Sequence, residues 1–193
     1  MLVENCFLDS KGRFVDVVCQ FLDDNGRWFL MSAHQDPLKL KSWLEKYWFS
    51  EKIQVKVLSD NPGFDYDLFD SIDDNKRILN CIPKAPNEIN EANNPFELGL
   101  EKLISWDKGC YIGQEVISRL DTYDKVSRKL VALCCDENDF ENLKSSSEVT
   151  SSVNQFKKDQ SVALALVKKA ALTVGGFLTT SNGTKTWVVS SAR

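Results

Sequence analysis

Residues 108–119 read Lys-Gly-Cys-Tyr-Ile-Gly-Gln-Glu-Val-Ile-Ser-Arg, and the rest of the chain is best read outward from them. Cys110 follows one glycine directly and stands three residues before a second. Glycine lacks side-chain bulk and admits backbone angles closed to other residues, so Gly109 and Gly113 are expected to shape a sharp bend. Gln114 and Glu115 then open a segment with helical apolar spacing, where an acidic group suits the helix N-terminus. Glu115 and Arg119 are four apart on that helix and can pair, for roughly 0.2–0.5 kcal/mol. A thiol beside a cation and near a helix N-terminus is biased toward the reactive thiolate. Cys110 and Lys108 are therefore the candidate catalytic pair.

Composition bounds the remaining choices. The 193 residues suffice for one ordinary domain or two small ones, with a real core. A net charge of −4 argues against a general nucleic-acid or anionic-membrane surface, so no direct nucleic-acid partner is expected. No apolar run reaches the length of a membrane span, and the start Met-Leu-Val-Glu-Asn lacks the cationic opening of an export signal. Six cysteines without CxxC spacing fit reduced thiols and a cytoplasmic location. His34 is the single histidine, which leaves little material for a zinc site or a serine–histidine triad; no metal site is expected.

Local patterning predicts an α+β chain. Valine- and aromatic-rich residues 14–22, the turn Asp23-Asp24-Asn25-Gly26 and residues 28–31 form an antiparallel hairpin. Asp36 is expected to cap a helix with Pro37 at its first position, and Leu40, Trp43, Leu44, Tyr47 and Trp48 to form its apolar face. Residues 53–58 alternate like a further strand. Residues 61–74 are acidic and turn-rich, without a calcium-loop pattern, and read as solvated surface. Residues 81–95 read as an extended loop, 128–135 as a strand with Cys134 and Cys135 in its packing, and 141–152 as a flexible connection. Residues 162–167 and 187–190 are strands of a small C-terminal β module, with a turn at Ser181-Asn182-Gly183-Thr184 between them.

With these elements placed, Lys108-Gly109-Cys110-Tyr111-Ile112-Gly113-Gln114-Glu115 resembles the Lys-Gly-Cys-Tyr-x-Gly-Gln-Glu signature of the YgfZ-type folate-binding proteins. These are relatives of the glycine-cleavage T-protein (the GcvT family) that act in iron–sulfur cluster assembly or repair. Residues 7–13, Phe-Leu-Asp-Ser-Lys-Gly-Arg, look like the family's strand-entry segment, and residues 94–100, Asn-Pro-Phe-Glu-Leu-Gly-Leu, like its "N-P-x-E-x-G-L" loop. Residues 149–152 and 163–165 are similar to its C-terminal barrel. The resemblance implies a GcvT/YgfZ-like fold, with an antiparallel-sheet and helix unit over 1–128 and a β-barrel-like module over 129–193.

The resemblance also implies a function and a site. It implies an accessory protein for iron–sulfur clusters that uses a reactive cysteine and tetrahydrofolate, and so supports tRNA modification indirectly. Its partners would be folate and iron–sulfur client or assembly proteins, without a membrane. Cys110 would stand beside the ligand cavity, with Tyr111, Gly113, Gln114, Glu115, Arg119, Glu97 and Arg77 as cofactor-binding candidates. Lys108 would lower the thiol's pKa or meet an anionic folate tail. Relatives carry an Arg-[Ile/Leu]-Glu-x-Gly segment whose glutamate holds the pterin, whereas the aligned stretch here is Arg77-Ile78-Leu79-Asn80-Cys81. Leucine cannot accept the pterin's N–H groups, a loss of about 1.5–3 kcal/mol, or roughly ten- to a hundred-fold in folate affinity.

Relatives are also longer at the N-terminus, where the aminomethyltransferases carry their catalytic aspartate. A fragment, a misassigned start or a reduced form is therefore expected, with an exposed apolar patch. The alternatives are a folate-dependent aminomethyltransferase, which needs a positioned acid or base, and a remnant of the family that binds no ligand.

Overall fold

The computed structural model describes residues 2–34, 36–58, 72–157, 159–173 and 175–192. They form an α+β arrangement of two antiparallel sheets with short helices between and around them. The first sheet has the order β1 (Leu2–Leu8), β2 (Phe14–Leu22), β3 (Trp28–Ser32). The β2–β3 hairpin forms where its turn chemistry predicts. Asp23 Oδ1 accepts from the Asn25 and Arg27 N–H groups, and Gly26 supplies φ +75°. Strand β1 is not marked by the sequence, because Glu4, Asn5, Cys6 and Phe7 put polar and apolar groups on both faces.

Helix α1 (Pro37–Glu45) begins as expected, with the Asp36 carboxylate accepting from the Lys39 N–H at 3.1 Å. It ends at Glu45, so Tyr47 and Trp48 lie beyond the helix, and Leu40 is its one buried residue. Trp43 packs between Phe7 and Tyr47, with ring centroids at 5.3 and 4.9 Å. Residues 53–58 belong to no strand. Their alternation assigns faces, but a strand exists only where a neighbour takes up its backbone groups. Of the acidic stretch at 61–74, residues 61–71 lie outside the described residues. Asp73 caps helix α2 (Asp74–Leu79), accepting from the Asn75 and Lys76 N–H groups.

The second sheet comprises β4 (Arg128–Asp136), β5 (Val149–Lys157), β6 (Gln160–Lys168), β7 (Phe177–Thr179) and β8 (Lys185–Ser191), in the order β5-β6-β4-β8-β7. It is an open sheet. Among the described residues β5 and β7 are its edges and do not pair, which corrects the expected barrel. Closure needs long, evenly tilted strands; β7 has three residues, and the β5–β6 ladder shifts register twice. The segment read as a flexible connection is also ordered. Helix α5 (Phe140–Lys144) buries Phe140 and Leu143, one turn apart, and β5 starts at Val149. Serine content suggested flexibility, but two well-placed apolar anchors outweigh it.

One apolar core joins the two sheets. Leu8, Phe14 and Val17 of the first meet Ile78 of α2 and Leu130, Ala132, Cys134, Val162 and Leu164 of the second. Cys135 lies in a separate cluster on the sheet's far face with Val131, Leu133 and Leu143. The two adjacent cysteines are thus packing residues on opposite faces, and burial raises both thiols, Cys135 to about 11.

Helix α3 (Pro95–Leu98) explains the "N-P-x-E-x-G-L" stretch. Asn94 caps it, Pro95 starts it, and Gly99 ends it at φ +70°. Glu97, a cofactor-binding candidate by resemblance, is buried. Its Oε2 accepts from the Asn94 N–H at 3.1 Å and from Arg13 Nη1 at 3.0 Å; its Oε1 accepts from Arg128 Nε at 2.9 Å. Arg13 and Arg128 also both donate to the Ala92 carbonyl. Because the two guanidinium groups stay about one-third exposed, Glu97→Ala is expected to cost about 2–3 kcal/mol, less than a fully buried pair. Denaturant unfolding of the purified protein measures this. A midpoint equal to wild type would contradict the role assigned to Glu97.

Candidate functional site

The cysteine motif is an exposed loop seated on a rigid base. Residues 105–110 are all exposed. Gly113, at φ +83°, is the N-cap of helix α4 (Gln114–Thr122), and Gln114 Oε1 accepts from the Tyr111 N–H at 3.2 Å. A Cβ on Gly113 would stand 2.5 Å from the Asp9 carbonyl oxygen. Glycine is therefore required twice over, by conformation and by space. Asp9 is fixed in turn, since its Oδ1 accepts from the Lys11 and Arg13 N–H groups at 2.9 and 2.8 Å. Gly109 differs: it has no positive φ, and an added Cβ would meet nothing within 4 Å. Packing makes no demand at that position, so the bend is anchored by Gly113 alone.

Cys110 is the exposed cysteine; Cys6 is half-buried and the other four are buried. The Lys108 Nζ lies over the Tyr111 ring, 4.8 Å from its centroid. Lys108 also faces Cys6, whose thiol burial pushes up to about 11 while the lysine charge pulls it back. The cation expected to serve Cys110 is thus engaged with Tyr111 and Cys6. Tyr111 packs against the core, and its buried Oη has no hydrogen-bond partner among the described residues. Burial raises the Tyr111 phenol, and the neighbouring Cys6 adds to the effect. Glu115 and Arg119 pair at 2.6 Å, but both side chains are more than two-thirds exposed, so the pair is a minor helical contact.

The structure sets Gly113 and helix α4 against residues 9–12 and brings Lys108 to Tyr111 and Cys6. It does not bring Glu97 or Arg77 to them as free ligand groups. Arg77 is buried and paired with Asp74 at 2.6 Å and Glu88 at 3.3 Å. Glu88, fully buried, also takes the Ser151 hydroxyl at 2.6 Å and the Lys84 N–H at 2.9 Å. Leu79 packs against the core, and its carbonyl accepts from the Ser190 hydroxyl at 2.5 Å. Cys81 has φ +52°, the region that favours glycine. A cleft of about 590 Å³ is lined by Asn87, Asn93, Arg128, Glu148 and Lys168 among others, and one of about 130 Å³ by Glu101, Asp121 and Lys129 among others. Cys110 lines neither, in contrast to the expected place beside a cavity.

Sequence reading missed a buried acid. Asp16 sits on β2, a strand buried on both faces, and is 2% exposed. Ser32 Oγ donates to its Oδ2 at 2.5 Å, while Oδ1 has no partner among the described residues. The nearby His34 has a buried Nε2 with no hydrogen-bond partner among the described residues. Burial raises the Asp16 pKa above the ordinary 3.8, opposed by the Ser32 hydroxyl and by His34. An isolated aspartate inside Phe-Val-Asp-Val-Val was the available signal, since buried carboxyls with shifted proton affinity gather at functional sites. Among the described residues, no group of three or more His, Cys, Asp or Glu side chains converges to hold a metal ion. No described helix is long and apolar enough to cross a membrane.

Comparison with known protein families gives no match. Among curated proteins, the chain is similar to one from Arabidopsis thaliana named "Putative transferase At1g60990, chloroplastic". The two are 44% identical over 57 residues, which is 30% of this chain and 13% of that protein. The likeness is a partial one, to a transferase-like protein, and spans a small part of the relative's length.

The buried carboxyl makes a pH-dependent prediction. Above the ordinary value of 3.8, and up to its raised value in the fold, the unfolded chain releases the Asp16 proton while the folded chain retains it. Stability therefore falls as pH rises through that window. Asp16→Asn removes the loss and is expected to raise the melting temperature more at about pH 7 than at about pH 4. Equal shifts at both pH values would contradict it.

Proposed function

We propose that this chain is an accessory factor for iron–sulfur cluster assembly or maintenance that works through the Cys110 thiol. The observation that carries this reading is the contrast among the cysteines: five are sheltered, and Cys110 alone stands outward on an exposed loop. Such a thiol meets a partner protein's cargo, a sulfur, iron or one-carbon species, without enclosing it. One thiol supplies a single ligand where a cluster needs several, which suits transient handling over permanent storage. The client or assembly proteins would be its partners in a cytoplasmic setting, and the effect on tRNA modification would be indirect.

A GcvT/YgfZ-like fold belongs to the same proposal, with residues 1–128 and 129–193 as its two parts. It is supported by the mutual docking of the three resembling segments. Residues 7–13 touch the cysteine motif through Asp9 and Gly113, and touch residues 94–100 through Arg13 and Glu97. The positive φ of Cys81 at the family's glycine position supports it further. Tetrahydrofolate fits the expected 77–81 segment badly. Arg77 is consumed by ion pairs, and Leu79 offers an apolar side chain packed on the core. The reading therefore rests on the thiol and assigns no step to folate.

Asp16 favours a second reading, a group-transfer enzyme of the aminomethyltransferase type. Such a transfer needs a positioned acid or base, and Asp16 is a buried carboxyl with one oxygen that has no hydrogen-bond partner among the described residues. Its distance in the chain from Cys110, and the exposure of that thiol, favour the first reading for the motif.

The test is complementation. In cells lacking this protein, the wild-type chain is expected to restore the activity of iron–sulfur enzymes, while Cys110→Ser, expressed to the same level, leaves it depressed. Full restoration by Cys110→Ser would make the thiol irrelevant. Restoration lost instead in Asp16→Asn would favour the transferase reading.

A further inference from the structure

Residues 52–58, Lys-Ile-Gln-Val-Lys-Val-Leu, have the period-two pattern of a strand and, among the described residues, no strand to pair with. Among the described residues, none hydrogen-bonds to their backbone. Ile53 and Leu58 are 51% exposed and Val57 is 37% exposed, while Phe49 just before them is 89% exposed. Glu51 holds the start of the segment by accepting from the Phe49 and Ser50 N–H groups. A β-branched stretch with free N–H and C=O groups is a template for another strand.

We propose that this segment pairs antiparallel with the same segment of a second copy, about a two-fold axis through Val55. The sequence is self-complementary in that register. Val55 faces Val55, Ile53 faces Val57, Gln54 faces Lys56 and Lys52 faces Leu58. Apolar residues thus meet apolar residues on one face, and no two lysines stand directly opposite. The competing registers fail on the same criterion. A one-residue slip sets Ile53 against Lys56 and Gln54 against Val55, mixing the faces. A parallel in-register pair stacks Lys52 on Lys52 and Lys56 on Lys56, which like charges disfavour. The two-fold arrangement is closed, so it makes a dimer and not a fibre. A seven-residue ribbon is small for a stable interface, so a dissociation constant of about 1–100 μM is expected.

Sedimentation velocity over about two decades of concentration, read against the affinity range expected for a small interface, is the first measurement. The wild-type chain is expected to move from monomer to dimer. Val55→Pro removes a backbone donor at the axis, and Val55→Lys sets two charges opposite each other; each is expected to weaken the dimer at least about tenfold. Because residues 52–58 make no described intrachain hydrogen bond, both variants should keep the wild-type circular dichroism.

The register is read separately by mild oxidation in a Cys110→Ser background. Residues facing each other across an antiparallel pair stand about 4.5–5.5 Å apart at Cα, within disulfide reach. Val55→Cys is expected to form a covalent dimer about tenfold faster than Ile53→Cys, whose partner in this register is Val57. A monomer at every concentration, a dimer indifferent to Val55→Pro, or equal cross-linking at 53 and 55 would each overturn the proposal.

Discussion

The buried carboxylate of Glu97, gripped by Arg13 and Arg128, is the interaction on which the arrangement depends. Arg13 ends the loop entering β2, Arg128 opens β4, and Glu97 lies on the short helix between them in sequence. One side chain therefore ties the first sheet to the second. A four-residue helix could not hold its place by helical hydrogen bonds alone. The cap from Asn94, the left-handed stop at Gly99 and the two arginines define it instead.

From this anchor the geometry passes to the cysteine loop by one further close approach. The loop of residues 9–13 that delivers Arg13 to Glu97 also presents the Asp9 carbonyl to Gly113. No side chain fits between them. Helix α4 and the loop before it are thereby set against the core, with Tyr111 packed inward and residues 105–110 outward. Cys110 owes its exposure to that division. The same construction removes Glu97 from any ligand role, because both of its oxygens are already committed within the protein.

Much of this was legible in the residues, for identifiable reasons. Strong local chemistry reads well: the Asp23–Gly26 turn, the Asp36–Pro37 helix start, and the apolar runs of β4 and β6 all appear where patterning places them. Features set by partners do not. Residues 53–58 have a strand's pattern and no pairing strand among the described residues, while β1 has a partner and little pattern. The expected barrel depended on edge strands meeting, which no local property of β5 or β7 encodes. At the site, Cys110 and Gly113 stood out through their motif. Glu97 and Arg77 looked like ligand groups, because a buried ion pair and a ligand-binding charge are the same residue types until their partners are known. Asp16 was hidden for the opposite reason, as a single acid in a run of valines.

The central claim is that this scaffold holds one thiol out and keeps the rest in. Brief alkylation of the native protein at neutral pH, followed by peptide mapping, tests it most directly. One label is predicted, at Cys110. Cys6 and Cys135 should be spared, since burial pushes both thiols up to about 11. Failure to label Cys110, or labelling spread over Cys81, Cys134 and Cys135, would contradict the account.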